Sequence, residues 1–178
     1  MHELTDQELY KAFAYARSLS EDQGKQIMAK LMQNQPGLYQ TLFGFLPDII
    51  AEQQQDMAHL FMDLCFDVVC VFQYTFGDPV HNGNDPVWLE KQAALLGADL
   101  QVLHGSNMAN EKAWANLQNR FTTASPGEIT QAGLINVLHE AIDEHAASNT
   151  RRVPVIPITQ GLMSVAVKLI GSLYVNQR

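Results

Sequence analysis

Between Met57 and Phe76 the chain is almost wholly apolar, and one narrow stripe of ionisable side chains crosses it. At about 100° per residue, Glu52, Asp56, His59, Asp63 and Asp67 fall within an arc of roughly 80° on one helix. Nearly everything else in the run is oily: Met57, Leu60, Phe61, Leu64, Phe66, Val68, Val69, Val71 and Phe72. A helix apolar on most sides must be surrounded by other helices, and its polar stripe must reach water, a partner or an ion. The run therefore predicts a central core helix and constrains the architecture more than any other segment.

The length would also suit a membrane crossing, but the energetics oppose it. Asp63 and Asp67 would lie near the bilayer centre at ~2.5–3.5 kcal/mol each, against ~0.3–0.6 returned by each Leu, Phe or Val. The sum is near zero or unfavourable before His59 is counted. No transmembrane segment is expected.

The 178 residues suit one domain with a substantial core, spanning residues 1–178. Charged residues make up only 17% of the chain, so Gln, Asn and Ser must carry much of the surface polarity. The net charge of −8 opposes non-specific nucleic-acid binding, which needs a basic footprint. Cys65 and Cys70 share one predicted helix with Cα atoms about 7.5 Å apart, too far for a disulfide. The opening Met1-His2-Glu3-Leu4 has no basic region followed by an apolar one. A cytoplasmic location is the expectation.

Helix start signals recur along the chain. Thr5-Asp6-Gln7-Glu8 and Ser20-Glu21-Asp22-Gln23 are capping boxes, in which the hydroxyl and the acid or amide three residues on satisfy each other's backbone amides. Pro36-Gly37 interrupts the second helix, and Leu38–Leu46 reads as a short aromatic-rich helix. Pro47 opens the next, which is expected to continue through the striped segment to about Phe76. Gly77–Pro86 is a turn-rich loop, with Asp85 and Pro86 starting a helix that carries Trp88, Leu89, Leu95, Leu96, Leu100 and Leu103. A further helix covers about Ala109–Thr122. Ser125-Pro126-Gly127-Glu128 starts another that runs to about Ala147.

Arg151–Ile158 holds Pro154 and Pro157, each biasing its predecessor away from helix, and reads as an extended strap. The last helix, about Gln160–Val175, has one charge, Lys168, and a polar arc of Gln160, Ser164, Lys168 and Ser172 beside Gly161 and Gly171. It is the second apolar core helix, with a homodimer face as its competing role. The fold class is therefore all-α, a single-domain bundle of about seven or eight helices around two apolar central ones.

Candidate chemistry is sparse. Asp56, His59 and Asp63 are spaced i, i+3, i+7, which stacks two carboxylates and an imidazole on one face. His139 and Asp143 share another face at i, i+4. If the two faces met, two imidazoles and three carboxylates would suit a transition metal such as Zn²⁺, Fe or Mn²⁺. The usual reading is a solvated acidic face in each case, with no cofactor. His139 and His145 lie six apart and cannot serve one ion from one helix face. The loop around His81 and the helix-end His104 lack any ligand spacing. Arg151-Arg152 is the one basic pair, expected to meet the acids ending the preceding helix or to face water.

These readings favour a small acidic protein acting through protein contact, as an adaptor, inhibitor or oligomeric regulator, with no enzymatic activity identifiable. The alternative is a metal-binding helical protein, a hydrolase or oxidase, built on Asp56, His59, Asp63, His139 and Asp143. A third reading places a small apolar ligand between the two apolar helices, lined from seven Met and eight Phe.

Overall fold

A computed structural model of the chain describes residues 1–79 and 129–174. Both capping boxes close as expected. Thr5 accepts from the Glu8 amide while Glu8 accepts from the Thr5 amide at 2.8 Å, starting α1 (Asp6–Ser18). Ser20 and Gln23 repeat the arrangement at the head of α2 (Glu21–Asn34). Those bonds from Thr5 and one from His2 hold the Glu8 carboxyl down at about 2.

Pro36 opens α3 (Pro36–Gln40), and a π-helical turn over Thr41–Phe45 leads into α4 (Leu46–Ala51). The expected continuous helix from Pro47 to Phe76 is not what forms. The Ile50 carbonyl accepts from both Gln53 and Gln54 amides, at 3.1 and 3.0 Å, and Gln54 is extended. Glu52 to Gln55 offer no apolar side chain to bury, so the chain turns a corner there, and Glu52 leaves the stripe's helix.

The central helix is α5 (Gln55–Phe76), ended by Gly77 at φ 78°, a conformation that favours glycine. Its Met57, Phe61, Cys65, Val68, Val71 and Phe72 are fully shielded from water. Cys65 and Cys70 are both buried and free. Burial pushes both thiols up, Cys70 to about 12 with help from Asp67, so neither is a ready nucleophile.

After the undescribed stretch, α6 (Ala132–Ala147) begins later than the signal at Ser125 implied, because residues 129–131 are not helical. Gln131 is turned inward instead and bonds the N-terminal segment. The expected extended strap is also helical: Thr150–Val155 forms a 3₁₀ turn, and α7 (Ile156–Ser172) starts at once, four residues ahead of Gln160. The two prolines do not prevent this. Pro157 lies in the first turn of α7, where its fixed φ suits the helix and no intrahelical partner is lost. Ile156 is held in the α region against its proline bias because Val155, Ile158 and Thr159 are buried beside it.

The described residues contain no strand, and one contiguous apolar cluster joins both described parts of the chain. Helices α5 and α7 are its two apolar centres, with α1 and α4 laid against α5 and α6 against α7. Gly171 permits close approach of α7 to α5: a Cβ there would sit 3.4 Å from the Phe72 ring. By length and hydropathy, Gln55–Phe76 and Thr150–Ser172 would each suffice to cross a membrane, and 56% and 67% of their most apolar windows are buried within the fold. The sequence elements at Val80–Pro86, Trp88–Leu103, Ala109–Thr122 and Ser125–Glu128, with His81 and His104, lie outside the described residues.

Candidate functional site

Two polar clusters flank α6 and hold three of the five candidate residues. The first joins three helix ends. Asp56 is in the first turn of α5, where a carboxylate complements the helix dipole. Arg152, from the 3₁₀ turn, donates Nε to Asp56 Oδ2 and Nη1 to the His145 carbonyl and Ser148 Oγ, both at 2.7 Å. One guanidinium thus ties the C-terminal end of α6 to the N-terminal end of α5, using the planar fork of donors that lysine lacks. Burial would raise the Asp56 carboxyl, but hydrogen bonds from Gln54 and Arg152, the Arg152 charge and the Met57 amide together draw it below its ordinary value. His145 Nε2 faces the same Asp56 oxygen at 3.9 Å, too far for a hydrogen bond.

The second cluster lies between α6 and α7. His139 Nε2 is 3.1 Å from the Gln160 carbonyl and 3.2 Å from Ser164 Oγ. Gln160 Nε2 in turn donates to Asp143 Oδ1 at 2.9 Å. A serine hydroxyl beside an imidazole invites comparison with a nucleophile and its base, and the geometry rules that role out. A carbonyl oxygen only accepts, so Nε2 must carry its proton toward Gln160 and has no lone pair to take one from Ser164. The Ser164 hydroxyl donates to the same carbonyl at 3.1 Å, and the side chain is 1% exposed, closed to any substrate. Burial holds His139 below the ordinary imidazole range, outweighing the Gln160 bond and the Asp143 charge.

The five candidate ligands Asp56, His59, Asp63, His139 and Asp143 are therefore not brought together. Asp56 is taken by Arg152, His139 and Asp143 are turned to α7, and His59 and Asp63 are exposed on α5. Among the described residues no three His, Cys, Asp or Glu side chains converge as a metal would require. The imidazole that does face the α5 acid is His145, in the last turn of α6. Arg152 likewise meets Asp56 rather than the acids ending α6, a pairing across 96 positions that no local pattern signals.

Further along α5, burial raises the Asp67 carboxyl; Arg17 draws it back and Asp63 reinforces the rise. A cavity of about 30 Å³ lies among Leu31, Leu38, Val69, Ile170, Leu173 and Tyr174, with the Lys30–Asp78 ion pair (2.6 Å) nearby. It has room for about one water molecule, whereas a site for a small organic ligand needs roughly 300 Å³ or more. The apolar-ligand reading finds no pocket of that size here.

Among the described helices, one stands apart in its packing. α2 has an apolar face of Ile27, Met28, Leu31 and Met32, yet none of its residues is fully buried. Gly24 approaches Phe66 of α5 closely enough that a Cβ would sit 3.5 Å from that ring. Met32 remains 52% exposed, and Met28, one turn earlier, is half-buried. Comparisons of the chain with protein-family models, with curated proteins and with solved structures gave no match.

Proposed function

We propose that this acidic protein works in the cytoplasm through contact with another protein, as an adaptor, inhibitor or oligomeric regulator, and that α2 carries the contact. The observation that supports this is the incompletely covered apolar face of α2. A fourteen-residue amphipathic helix in a domain ordinarily buries at least part of its stripe fully, and this one buries no residue. Its open edge is the methionine row Met28–Met32, and flexible, polarisable side chains of that kind adapt to varied partner surfaces. The net charge of −8 favours a partner that is not itself strongly acidic.

The small-residue row of the last helix, the other candidate contact face, gives less support. Gly161 and Ser164 are buried, and Gly171 faces Phe72 within the fold. On this reading α5 and α7 are the core helices of a soluble protein. His59, Asp63 and Asp67 within α5 favour water over lipid on that side.

The test is affinity capture from native extract with the wild-type chain and Met32→Glu side by side. A charge at a half-exposed position should leave folding intact and remove a specific partner retained by the wild type. Identical capture by both chains contradicts the assignment to α2.

A further inference from the structure

The side chain of Gln131 is buried, 3% exposed, and both ends of its amide are spent on one short stretch of backbone. Oε1 accepts from the Leu4 amide at 2.9 Å and Nε2 donates to the His2 carbonyl at 2.8 Å. Pairing with residues i and i+2 of an extended strand is how a sheet edge reads a peptide, here performed by one side chain. Side-chain contacts flank the clamp on both sides. Leu4 is 4% exposed, and its carbonyl lies beside Gly133, where a Cβ would come within 3.8 Å of it. Met1 packs on the core near Gly171, and the His2 ring stands edge-on to Phe76 with centroids 5.3 Å apart. Backbone recognition with apolar anchors three positions apart is the chemistry of a peptide groove.

We propose that the groove formed by the C-terminal end of α5, the N-terminal end of α6 and the C-terminal end of α7 is an extended-peptide site, which the chain fills with its own residues 1–4 as a releasable latch. The latch joins the body through few bonds. Before the Thr5 cap it has the two Gln131 hydrogen bonds, the Leu4 and Met1 contacts, the edge-on His2–Phe76 ring contact and the surface pair His2–Glu8 at 2.9 Å. It therefore opens without unfolding the helices. The inference does not depend on the role given to α2, which lies on other residues.

Hydrogen exchange on the full chain reads the latch at one amide, that of Leu4. It should exchange at least about ten-fold slower than an open-chain amide and at least about ten-fold faster than the core amides of Phe72 and Ile170. In Gln131→Leu the Leu4 amide should return to the open-chain rate while Phe72 and Ile170 are unchanged. Open-chain exchange of Leu4 in the wild type overturns the docking, and exchange of Leu4 in step with the core overturns the release. The site itself is tested in Leu4→Glu, whose latch is disabled, by adding a free peptide of sequence Met-His-Glu-Leu-Thr. Tethering supplies an effective concentration in the millimolar range, so the free peptide should shift and saturate the Gln131 side-chain amide signals at a few millimolar. No shift at about 10 mM overturns the peptide site, and the exchange measurement stands should Leu4→Glu fail to fold.

Discussion

At the residue scale the decisive facts concern which partner each polar group finds. His139 is the clearest, because its neutral form is favoured by burial and fixed in one tautomer by the Gln160 carbonyl. Its folded pKa lies below the unfolded one, near 6.5, so below that pH the unfolded chain binds more protons than the folded one. Stability contributed by the neutral ring is present at pH 7.5 and is lost as pH falls through the unfolded value. Urea unfolding between pH 7.5 and 5 should show this loss, and His139→Gln should show a smaller one over the same window. Equal slopes for the two proteins would contradict the assignment. Glycine positions give a second residue-scale contrast. Gly77→Ala must hold a side chain at φ 78° and should cost about 1 kcal/mol. Gly24→Ala, at the fourth residue of α2, meets only ordinary contact with Phe66 and should gain ~0.5–1 kcal/mol. Denaturant midpoints of the two variants should move in opposite directions.

At the element scale, much of the helix plan was legible and the junctions were not. Thr5 and Ser20 announced their helices because a capping box is local chemistry, complete within four residues. The burial of α5 and α7 could be read because a helix apolar on nearly every side has one stable location. The corner at Gln53–Gln54, the late start of α6 at Ala132 and the 3₁₀ turn at Thr150–Val155 were not legible. The last two are set by long-range demands: Gln131 is pulled to the backbone of residues 2–4, and Val155 and Ile158 are drawn into the core against the bias of their prolines. The same applies to the candidate site. The face carrying Asp56 was visible as a stripe, but its partners Arg152 and His145 come from elements whose approach depends on the corner before α5 and the turn after α6. Arg152 now links those elements. Arg152→Ala leaves Asp56 without its cation and the α6 end without two bonds, and should cost ~1–3 kcal/mol for a pair that is partly screened by water. Asp56→Asn, which keeps the α6 bonds, should cost less. A larger loss from Asp56→Asn than from Arg152→Ala in equilibrium unfolding would overturn this ranking.

At the scale of the whole molecule, the two apolar helices are largely buried, and among the described helices α2 is the one with no fully buried residue. The small residues of α7, which as a pattern suited a dimer face, mostly serve internal packing, as Gly171 does against Phe72. Self-association or partner binding through α2 is the claim that organises this account. Its most direct measurement is the native mass of the protein in gently prepared extract, compared between wild type and Met32→Glu. The account predicts an assembly heavier than the 19.9 kDa chain for the wild type, falling to the mass of the free chain in the variant. A 19.9 kDa species for both chains would contradict it.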